Sequence, residues 1–250
     1  MDSTLAKGLK ILEVLADSDR PQGVTALAQR LGLPKSNIHR TLSTLVEIGY
    51  ATRHEDLHRY SATLKTWEVG ANIISRNFLR RASLPFLRVL HQMSQETVYL
   101  AVLDGTDVLY LEKLDALYPM VKSARIGQRM PSIFPASGLA LLAHMPDAEN
   151  RVRRCAEATS DIRQSDPDAI LSTLAQVRSQ GYARTTSGWN QGTLSIAVPI
   201  LRPDTDTMGA IGIAGAAERL TEELVSEWIP TLRNSAMQIS ELVGNEGDAF

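Results

Sequence analysis

The chain has 250 residues, of which 44% are hydrophobic and 22% charged, and its formal net charge is −2. This is typical of a soluble globular protein, and any nucleic-acid contact must come from a local cationic surface. The single cysteine, Cys155, excludes an internal disulfide and a multi-cysteine zinc site. The sequence has no run of 18 apolar residues and no signal-peptide pattern, so we expect a cytoplasmic protein without membrane contact.

The first elements along the chain form a pattern of three helices and a hairpin. Residues 4–17 have helical periodicity, and "VTALAQRLGL" follows, with Thr25 placed to cap a helix and Gly32 to end it. A third helix lies in "LPKSNIHRTLSTLVEIGY" (33–50), and "YATRHEDLHRYSA" (50–62) reads as a β-hairpin. This order predicts a winged helix-turn-helix. The residues expected to face inward from the first helix are Leu5, Leu9, Leu12 and Leu15.

The third helix has an unusual polar face. Its apolar positions recur at helical spacing, whereas the opposite face has short hydroxyl and amide side chains around Arg40. An asparagine such as Asn37 can contact adenine with two hydrogen bonds, and Arg40 can do the same with guanine. Segment 30–65 also has six Lys or Arg residues against three acids. The predicted DNA-contacting residues of the helices and the hairpin are Thr25, Lys35, Ser36, Asn37, His39, Arg40, Ser43, Thr44, Arg53, His58 and Arg59.

Two features of the N-terminal half each permit an alternative interpretation. A small helical bundle can have a polar face without binding DNA. Residues 64–95 are predicted to be a helical linker, and no acid interrupts Arg76, Arg80, Arg81 and Arg88 between Glu68 and Glu96. This segment is either a solvated linker or a cationic helix that flanks DNA.

The second half changes to mixed strands and helices. A hairpin is expected around Asp104–Gly105 in "TVYLAVLDGTDVLYLEKL", and "TLSIAVPIL" and "TMGAIGIAGA" read as strands. "GLALLAHM" reads as a short helix, with further helices at 147–157, 166–180 and 221–243. Strands grouped with helices between and after them predict an α+β sheet domain with helices on its faces.

The sequence offers little support for catalysis or metal binding. His54 and His58 are four residues apart, but they lie in the hairpin and no third ligand is near in sequence. Cys155 is expected to be buried, and "QGYARTTSGWNQG" lacks the ending of a phosphate-binding loop. No Ser-His-Asp set has local support. We therefore predict no catalytic residues, no metal site and no cofactor.

Several segments together resemble one family. These are "KGLKILEVLADS", "GVTALAQRLGLPKSNIHRTLSTLVEIGYATR", "IGQRMPSIFPASGLALLA", "VRSQGYARTTSGWNQGTLSIAVPI" and "MGAIGIAGAAERLT". In this order they resemble the IclR family of bacterial transcriptional regulators over about residues 4–244. The resemblance implies a winged helix-turn-helix at 1–63, a linker helix at 64–95 and a GAF-like α/β effector-binding domain at 96–250. It also implies a ligand-responsive regulator of a catabolic or metabolic operon.

The same resemblance implies an effector pocket and partners. The partners are double-stranded, palindromic operator DNA, a small-molecule effector, and copies of this chain in a homodimer or homotetramer. Leu5, Leu79, Phe86 and Leu90 are apolar residues expected to be available for the second copy. The implied effector-binding residues, with residues 183–191 as a lid, are Met130, Phe134, Ala136, Ser137, Gly138, Trp189, Asn190, Ser195, Ala197, Gly212 and Ala214.

Several positions depart from the family pattern in ways that bear on the effector. Leu139 stands where lysine is frequent, the 183–191 loop has no acid, and Gly212 and Ala214 stand where serine is common. We expect Gly212 and Ala214 to leave room without hydroxyls, and the amides of residues 136–138 to bind an anionic group at a helix start. These features predict an aromatic or hydrophobic acid as effector. Trp189 alternatively packs the lid onto the core.

Two other functions remain open at this point. The second half could be a small-molecule-binding protein or an enzyme, with the helical domain as an interaction module. The winged helix could also be a scaffold for protein contacts. Binding to DNA separates the regulator from both alternatives.

Overall fold

The computed structural model describes most of the chain, namely residues 3–118, 124–159, 165–186, 192–202 and 207–244. The chain divides into two compact units, Met1–Ser75 and Arg76–Phe250. This division falls inside the predicted linker 64–95. Among the described residues, no helix is both long enough and apolar enough to cross a membrane.

The N-terminal unit has the predicted order of helices and a hairpin. Its elements are α1 (Ser3–Ala16), α2 (Val24–Leu31), α3 (Lys35–Glu47), β1 (Ala51–His54), a 3-10 turn (Glu55–Leu57), β2 (Arg59–Ala62) and α4 (Leu64–Arg76). The two strands pair antiparallel, with Ala51 opposite Ala62. One apolar cluster joins the three helices to this hairpin, formed by Ile11, Val14, Leu15, Leu27, Ala28, Ile38, Leu42, Leu45, Ala51 and Tyr60.

The buried face of α1 is not the one that its leucines predict. Leu15 is buried, but Leu5 and Leu9 are 63% and 52% exposed. The core instead takes Ile11 and Val14, which lie on the face with Leu15 because residues three and four apart are neighbours on a helix. The inward assignment of Leu5 and Leu9 is therefore wrong.

The ends of α2 show one correction and one confirmation. The helix begins after Gly23, whose backbone is extended, so Thr25 lies within the first turn and is not the N-cap. Gly32 ends the helix in the left-handed conformation at φ 63°, and its N–H donates to the Ala28 carbonyl. Glycine is favoured there because it has no Cβ to clash with the backbone.

The predicted single linker helix is divided in two. Helix α4 ends at Arg76, and α5 (Phe78–Ser94) starts after Asn77, whose side-chain oxygen accepts a hydrogen bond from the Arg80 N–H. Leu79 and Leu90 of α5 are fully buried, so they are not available for a second copy of the chain. Asparagine is a strong N-cap, which explains why the chain starts a new helix here.

The C-terminal unit contains a sheet in which, over the described ranges, six strands pair antiparallel in the order β5-β4-β3-β8-β7-β6. The strands are β3 (Thr97–Asp104), β4 (Asp107–Leu114), β5 (Arg129–Pro131), β6 (Ala183–Thr186), β7 (Thr193–Leu201) and β8 (Thr207–Ala216). The helices that follow α5 are α6 (Ala136–Leu142), α7 (Ala148–Ala158), α8 (Pro167–Gln180) and α9 (Glu222–Gly244). The α+β prediction for this domain is confirmed.

The two faces of this sheet carry different layers. Helices α6, α7 and α8 share a core cluster with one face, which includes Tyr99, Tyr110 and Ala197. Helices α5 and α9 contact each other and β3, β7 and β8. Cys155 is 1% exposed, within the α6 to α8 layer, as its sequence context predicts. The edge strands β5 and β6 were not predicted because three or four residues are too few to show alternation.

Candidate nucleic-acid interface and effector pocket

Helix α3 presents a polar face beside a buried one. It starts after Pro34, and Ile38, Leu42 and Leu45 anchor it in the core. The other predicted DNA-contacting residues of this helix point away from that core. Asn37 is half-buried, and the exposed residues are Lys35, Ser36, His39, Arg40, Ser43 and Thr44.

Internal hydrogen bonds limit what two of these side chains can do. The Ser43 hydroxyl donates to the His39 carbonyl at 3.0 Å, and the Thr44 hydroxyl donates to the Arg40 carbonyl at 3.3 Å. With their protons engaged, both oxygens are left to accept hydrogen bonds, for which base amino groups are suitable donors. Within the described residues, Lys35 and Arg40 make no ion pair, so both cations are available to an external anion or base.

The two arginines of the hairpin differ in their contacts. Arg53 is held within the hairpin, because its Nε lies 3.5 Å from the Glu55 carboxylate and its Nη2 lies 3.4 Å from His58 Nδ1. Arg59 is exposed and makes no ion pair with a described residue. His58 itself has a left-handed backbone at φ 48°, in the turn that joins the two strands of the hairpin. Arg59 is therefore the hairpin cation that is ready for a phosphate.

The other predicted positions near this surface lie apart from the α3 face. Thr25 is exposed in the first turn of α2. His54 is half-buried, and its Nε2 lies 3.0 Å from the Ser61 hydroxyl. In the linker segment, Arg80 of α5 forms an ion pair with the buried Glu112 carboxylate at 2.6 Å. Arg80 is thus a structural residue of the C-terminal unit and not part of a cationic surface.

In the C-terminal unit, strand register brings four predicted effector-binding residues together. Ser195 pairs with Ala214, and Ala197 pairs with Gly212 on the neighbouring strand. Because paired residues of antiparallel strands share a face, all four positions lie on one face of the sheet. Ala197, Gly212 and Ala214 are buried, and Ser195 is partly exposed. The strand register therefore brings together four of the residues that the family resemblance implies.

The expected void at Gly212 does not exist. A Cβ at this position would lie 2.4 Å from the Tyr99 hydroxyl oxygen and 2.5 Å from the Ile196 carbonyl oxygen. Tyr99 is the pairing partner of Gly212 on β3, and its ring covers the glycine. The small residue accommodates a tyrosine of the protein, and the expectation of an open wall without hydroxyls is wrong.

This arrangement collects four hydroxyl groups, which we call the hydroxyl cluster: Tyr99, Tyr110, Ser137 and Ser195. The Tyr99 and Ser195 oxygens are 2.7 Å apart, and the two tyrosine rings meet edge to face with centroids 5.4 Å apart. Burial raises the pKa of Tyr99 and of Tyr110, and the nearby Ser137 hydroxyl opposes part of the increase in each. Both phenols therefore remain protonated and neutral at physiological pH.

The start of α6 packs directly on the backbone before it. A Cβ at Gly138 would lie 1.9 Å from the Ser132 carbonyl oxygen, so this position requires glycine. Ala136 and Ser137 are fully buried. The helix has only seven residues, which gives it a weaker dipole than a long helix has. An anion held by this helix start alone is less favourable than the sequence suggested.

An open cleft of about 360 Å³ lies beside this layer, and we call it the lateral cleft. Phe134 is the one predicted effector residue among its described lining. Met130 is buried in the core opposite Val108 and does not line the cleft. Trp189 and Asn190 lie outside the described residues. The lateral cleft is lined by Ile133, Phe134, Leu139, Ser165, Asp166, Ala169, Ile170, Thr173, Arg184, Thr185 and Thr186.

Both units match known family models. The model for the IclR helix-turn-helix domain matches residues 4–55, and the model described as bacterial transcriptional regulator IclR C-terminal matches residues 71–241. The chain belongs to the IclR family of bacterial transcriptional regulators. Membership confirms the identification from sequence, and this IclR-family protein is a ligand-responsive, DNA-binding regulator.

Named relatives of this IclR-family protein are similar over nearly their whole length. The HTH-type transcriptional regulator KdgR of Escherichia coli K12 is 31% identical over 247 residues, which cover 97% of this chain and 93% of KdgR. The transcriptional repressor IclR of the same organism is 28% identical over 246 residues, or 96% of this chain and 90% of the repressor. A solved IclR homologue from Microbacterium hydrocarbonoxydans, complexed with 4-hydroxybenzoate, has a TM-score of 0.78 and 27% identity, covering 96% of this chain and 98% of the homologue.

Sequence reasoning missed the tyrosines and the α8 side of the lateral cleft. The alternation in "TVYLAVLD" places Tyr99 on one face with Ala101, and this signal could have identified Tyr99 as a residue of the inner face. The position of Tyr110 opposite Ala101 could not be predicted, because it depends on the register shift between Leu100 and Ala101, which no local sequence pattern reveals. The region expected to be a lid at 183–191 begins as strand β6, and residues 187–191 lie outside the described residues.

Proposed function

We propose that this regulator reads its operator with the exposed face of α3 and holds the flanking phosphates with the hairpin. The observation that carries this proposal is the contrast between the two faces of α3. One face is fixed in the core by three buried side chains, and the other presents an amide and two cations that form no ion pair with a described residue. This combination suits insertion into a major groove, where a rigid helix must place donors against base edges.

We assign a role to each residue of this surface from the charge and the hydrogen-bonding groups of its side chain. Arg40 is assigned to a guanine and Asn37 to an adenine, because each has two groups in a geometry that matches those bases. Lys35 and Arg59 are assigned to phosphates. Arg53 orders the hairpin through Glu55 and contributes less to binding. Ser36, His39, Ser43 and Thr44 are assigned to base edges or phosphates next to Arg40, and Thr25 and His58 to backbone contacts at the ends of the surface.

The regulator acts as a homo-oligomer on palindromic DNA, and α4 provides part of the contact between copies. All thirteen residues of α4 are described and none is buried. Leu64, Trp67 and Ile73 are 76%, 69% and 71% exposed, which is unusual for large apolar side chains on a monomer. A second copy is the expected cover, because one winged domain reads only a half-site and two symmetric copies read a palindrome.

Sedimentation of two charge-insertion variants tests this assembly. Trp67→Glu and Ile73→Glu place a carboxylate in the proposed contact, so each should convert the dimer to a monomer at micromolar concentration. Leu57→Glu is the matched control, because Leu57 is equally apolar and 57% exposed but lies in the hairpin turn. A wild-type chain that sediments as a monomer while binding a full palindrome would refute the proposal.

The C-terminal unit serves to bind an effector and not to transform it. Its candidate pocket combines the lateral cleft with the hydroxyl cluster beside it. The cleft volume of about 360 Å³ falls in the range of small-molecule sites, and Ile133, Phe134 and Leu139 give it apolar walls. A ring-sized, partly apolar effector fits this lining, and the structural relative from Microbacterium hydrocarbonoxydans was crystallised with the aromatic compound 4-hydroxybenzoate. We place the protein in the cytoplasm, where operator DNA is accessible.

A gel shift with the DNA upstream of the protein's own gene tests the proposed function. We expect a discrete complex at low salt that survives competition by unrelated DNA. A variant with Arg40→Ala and Lys35→Ala should keep its fold, because both side chains are exposed and form no ion pair with a described residue, but it should lose the complex. Absence of any DNA complex with the wild-type chain would refute the proposal that α3 and the hairpin bind operator DNA.

A further inference from the structure

A second open cleft of the C-terminal unit has a volume of about 340 Å³, close to that of the lateral cleft. We call it the edge cleft, because it lies where β7 continues beyond the end of β6, between residues 198–201 of β7 and residues 233–240 of α9. His144 and Gly181 complete its described lining. The edge cleft shares no described lining residue with the lateral cleft, so it is separate from the candidate effector pocket.

The open edge of β7 in this cleft is unsuited to pairing with an added strand. Strand β6 pairs with β7 only as far as Ala197, so residues 198–201 have their described pairing partners in β8 alone. Pro199 has no backbone N–H to donate, and the Leu201 carbonyl already accepts a hydrogen bond from the Ser240 hydroxyl. The edge cleft is therefore better suited to a small molecule than to an extended peptide.

The walls of the edge cleft are mainly apolar. On the strand side they are formed by Val198 and Leu201. On the helix side, Ala236, Met237 and Ser240 lie on one stripe of α9, because residues three and four apart are neighbours on a helix. Met237 is 56% exposed, which leaves a large apolar side chain partly in water at the rim. A ligand with a short apolar body would remove this surface from water.

The ionisable side chains in the described lining are both basic. Arg233 donates one hydrogen bond to the Gln180 carbonyl at the end of α8, and its guanidinium carbon lies 5.8 Å from the centre of the Tyr182 ring. Arg233 forms no ion pair with a described residue, so its remaining N–H groups are available to an anion. His144 Nδ1 lies 3.1 Å from the Ala140 carbonyl oxygen, and no carboxylate belongs to the described lining. The edge cleft therefore attracts a negatively charged group.

The guanidinium of Arg233 is held in position at the cleft. Gly181 ends α8 in the left-handed conformation at φ 72°, and a Cβ there would lie 3.1 Å from Arg233 Nη2. The glycine thus lets the guanidinium pack on the end of the helix, where the last carbonyls attract a cation. The Tyr182 ring adds a cation–π contact. A guanidinium fixed in this way can hold a carboxylate in a defined geometry at a smaller entropic cost than a freely moving side chain.

We infer that the edge cleft is a second ligand site of the C-terminal unit, which binds a small monocarboxylate with a short apolar body. Arg233 binds the carboxylate, and the apolar side chains of β7 and α9 contact the body of the ligand. A single guanidinium without an ion-pair partner suits one carboxylate group. This site lies beyond the proposed effector pocket and does not depend on which effector that pocket binds.

Methyl NMR of the full-length protein with labelled methionines tests where a carboxylate binds. 4-Methylpentanoate is the charged probe, and 4-methylpentanamide has the same apolar body without the charge. We expect 4-methylpentanoate to shift the Met237 methyl signal in a saturable manner, and the amide to bind at least about fivefold more weakly. Met237→Leu assigns the signal. The buried Met130, in the layer of α6 to α8, reports binding on the effector side of the sheet.

Two variants test the site by different means. Arg233→Gln removes the charge, and Met237→Trp fills the cleft without changing its charge. Calorimetric titration of each variant with 4-methylpentanoate should show binding at least about fivefold weaker than that of wild type, a modest loss because Arg233 is partly solvated. Arg88→Gln and Leu242→Trp are the matched controls, because both residues are exposed and lie outside the lining, and they should bind the probe as wild type does. Thermal unfolding confirms that each variant is folded.

Three outcomes would overturn the inference. They are no saturable shift of Met237 at tens of millimolar 4-methylpentanoate, equal binding of the carboxylate and the amide, and unchanged binding of the carboxylate by either Arg233→Gln or Met237→Trp. A shift of Met130 without one of Met237 would place the probe on the effector side and would also reject the site. None of these outcomes would affect the proposals for DNA and effector binding, because neither depends on the edge cleft.

Discussion

Replacing Gly212 by alanine tests whether this position borders an empty cavity or is packed against the side chain of Tyr99. The added methyl carbon would lie 2.4 Å from the Tyr99 hydroxyl oxygen and 2.5 Å from the Ile196 carbonyl oxygen. Ordinary contacts are about 1 Å longer. The tyrosine ring can tilt, but the Ile196 carbonyl belongs to the backbone of β7 and moves only if the β7–β8 pairing is distorted.

The expected cost follows from this overlap. Overpacking a core with one methyl group destabilises a protein by about 1–3 kcal/mol, and a clash with backbone places Gly212→Ala at about 3 kcal/mol. For a unit of this size, about 1 kcal/mol lowers Tm by about 2–4 °C, so Tm should fall by about 6–12 °C. Calorimetry of the C-terminal transition measures this shift.

Gly209→Ala is the matched control in the same strand. Its methyl carbon would lie 3.0 Å from a Leu79 side-chain atom and 3.1 Å from the Ala101 carbonyl oxygen, so neighbours must move only by a few tenths of an ångström. We expect a cost of about 1 kcal/mol or less. If Gly212→Ala were as stable as wild type, or less harmful than Gly209→Ala, the packing of Tyr99 on Gly212 would be refuted.

Two further predictions concern buried polar groups. Arg219→Met removes the guanidinium that contacts both oxygens of the buried Glu96 carboxylate at 2.7 Å. Because Arg219 is itself 41% exposed, we expect urea unfolding to show a loss of about 2 kcal/mol in the free energy of unfolding, below the value for a fully buried pair. Adding Glu96→Gln should restore part of this loss, and an Arg219→Met variant as stable as wild type would contradict the pairing. Burial raises the pKa of Tyr99 and of Tyr110 above the ordinary value of 10.0, so their contribution to stability is complete below pH 10 and is lost as the pH rises further. The free energy of unfolding should therefore fall less steeply above pH 10 in Tyr110→Phe than in wild type. Identical slopes for the two proteins would contradict the burial of Tyr110.

Local patterns in the sequence were sufficient for most of the fold. The apolar spacing of α3, the Asp104–Gly105 turn and the glycine end of α2 each depend on residues close in the chain, and all three were predicted. The outward direction of Leu9 was not, because a short helix with apolar residues on two sides has two possible inward faces. Only packing against α2 and α3 selects the face of Ile11.

The candidate effector pocket could be predicted only in part for a similar reason. Ser195 shares a face with Ala197, and Gly212 with Ala214, because strand alternation is a local property, but only the family resemblance grouped the two pairs. Whether Gly212 faces a void depends on Tyr99, more than a hundred residues earlier in the chain and adjacent only through strand pairing. Such contacts follow from sheet order, which the sequence pattern did not specify.

The central claim is that α3 reads bases whereas the hairpin holds the DNA backbone. Binding of Arg40→Ala and Arg59→Ala to a set of operator variants, each measured over a range of salt concentrations, tests it most directly. Arg40→Ala should lose about 1–3 kcal/mol on the native operator and lose its preference at one base pair. Arg59→Ala should weaken every sequence nearly equally and reduce the salt slope by about one. Equal losses on all sequences for both variants would contradict the account.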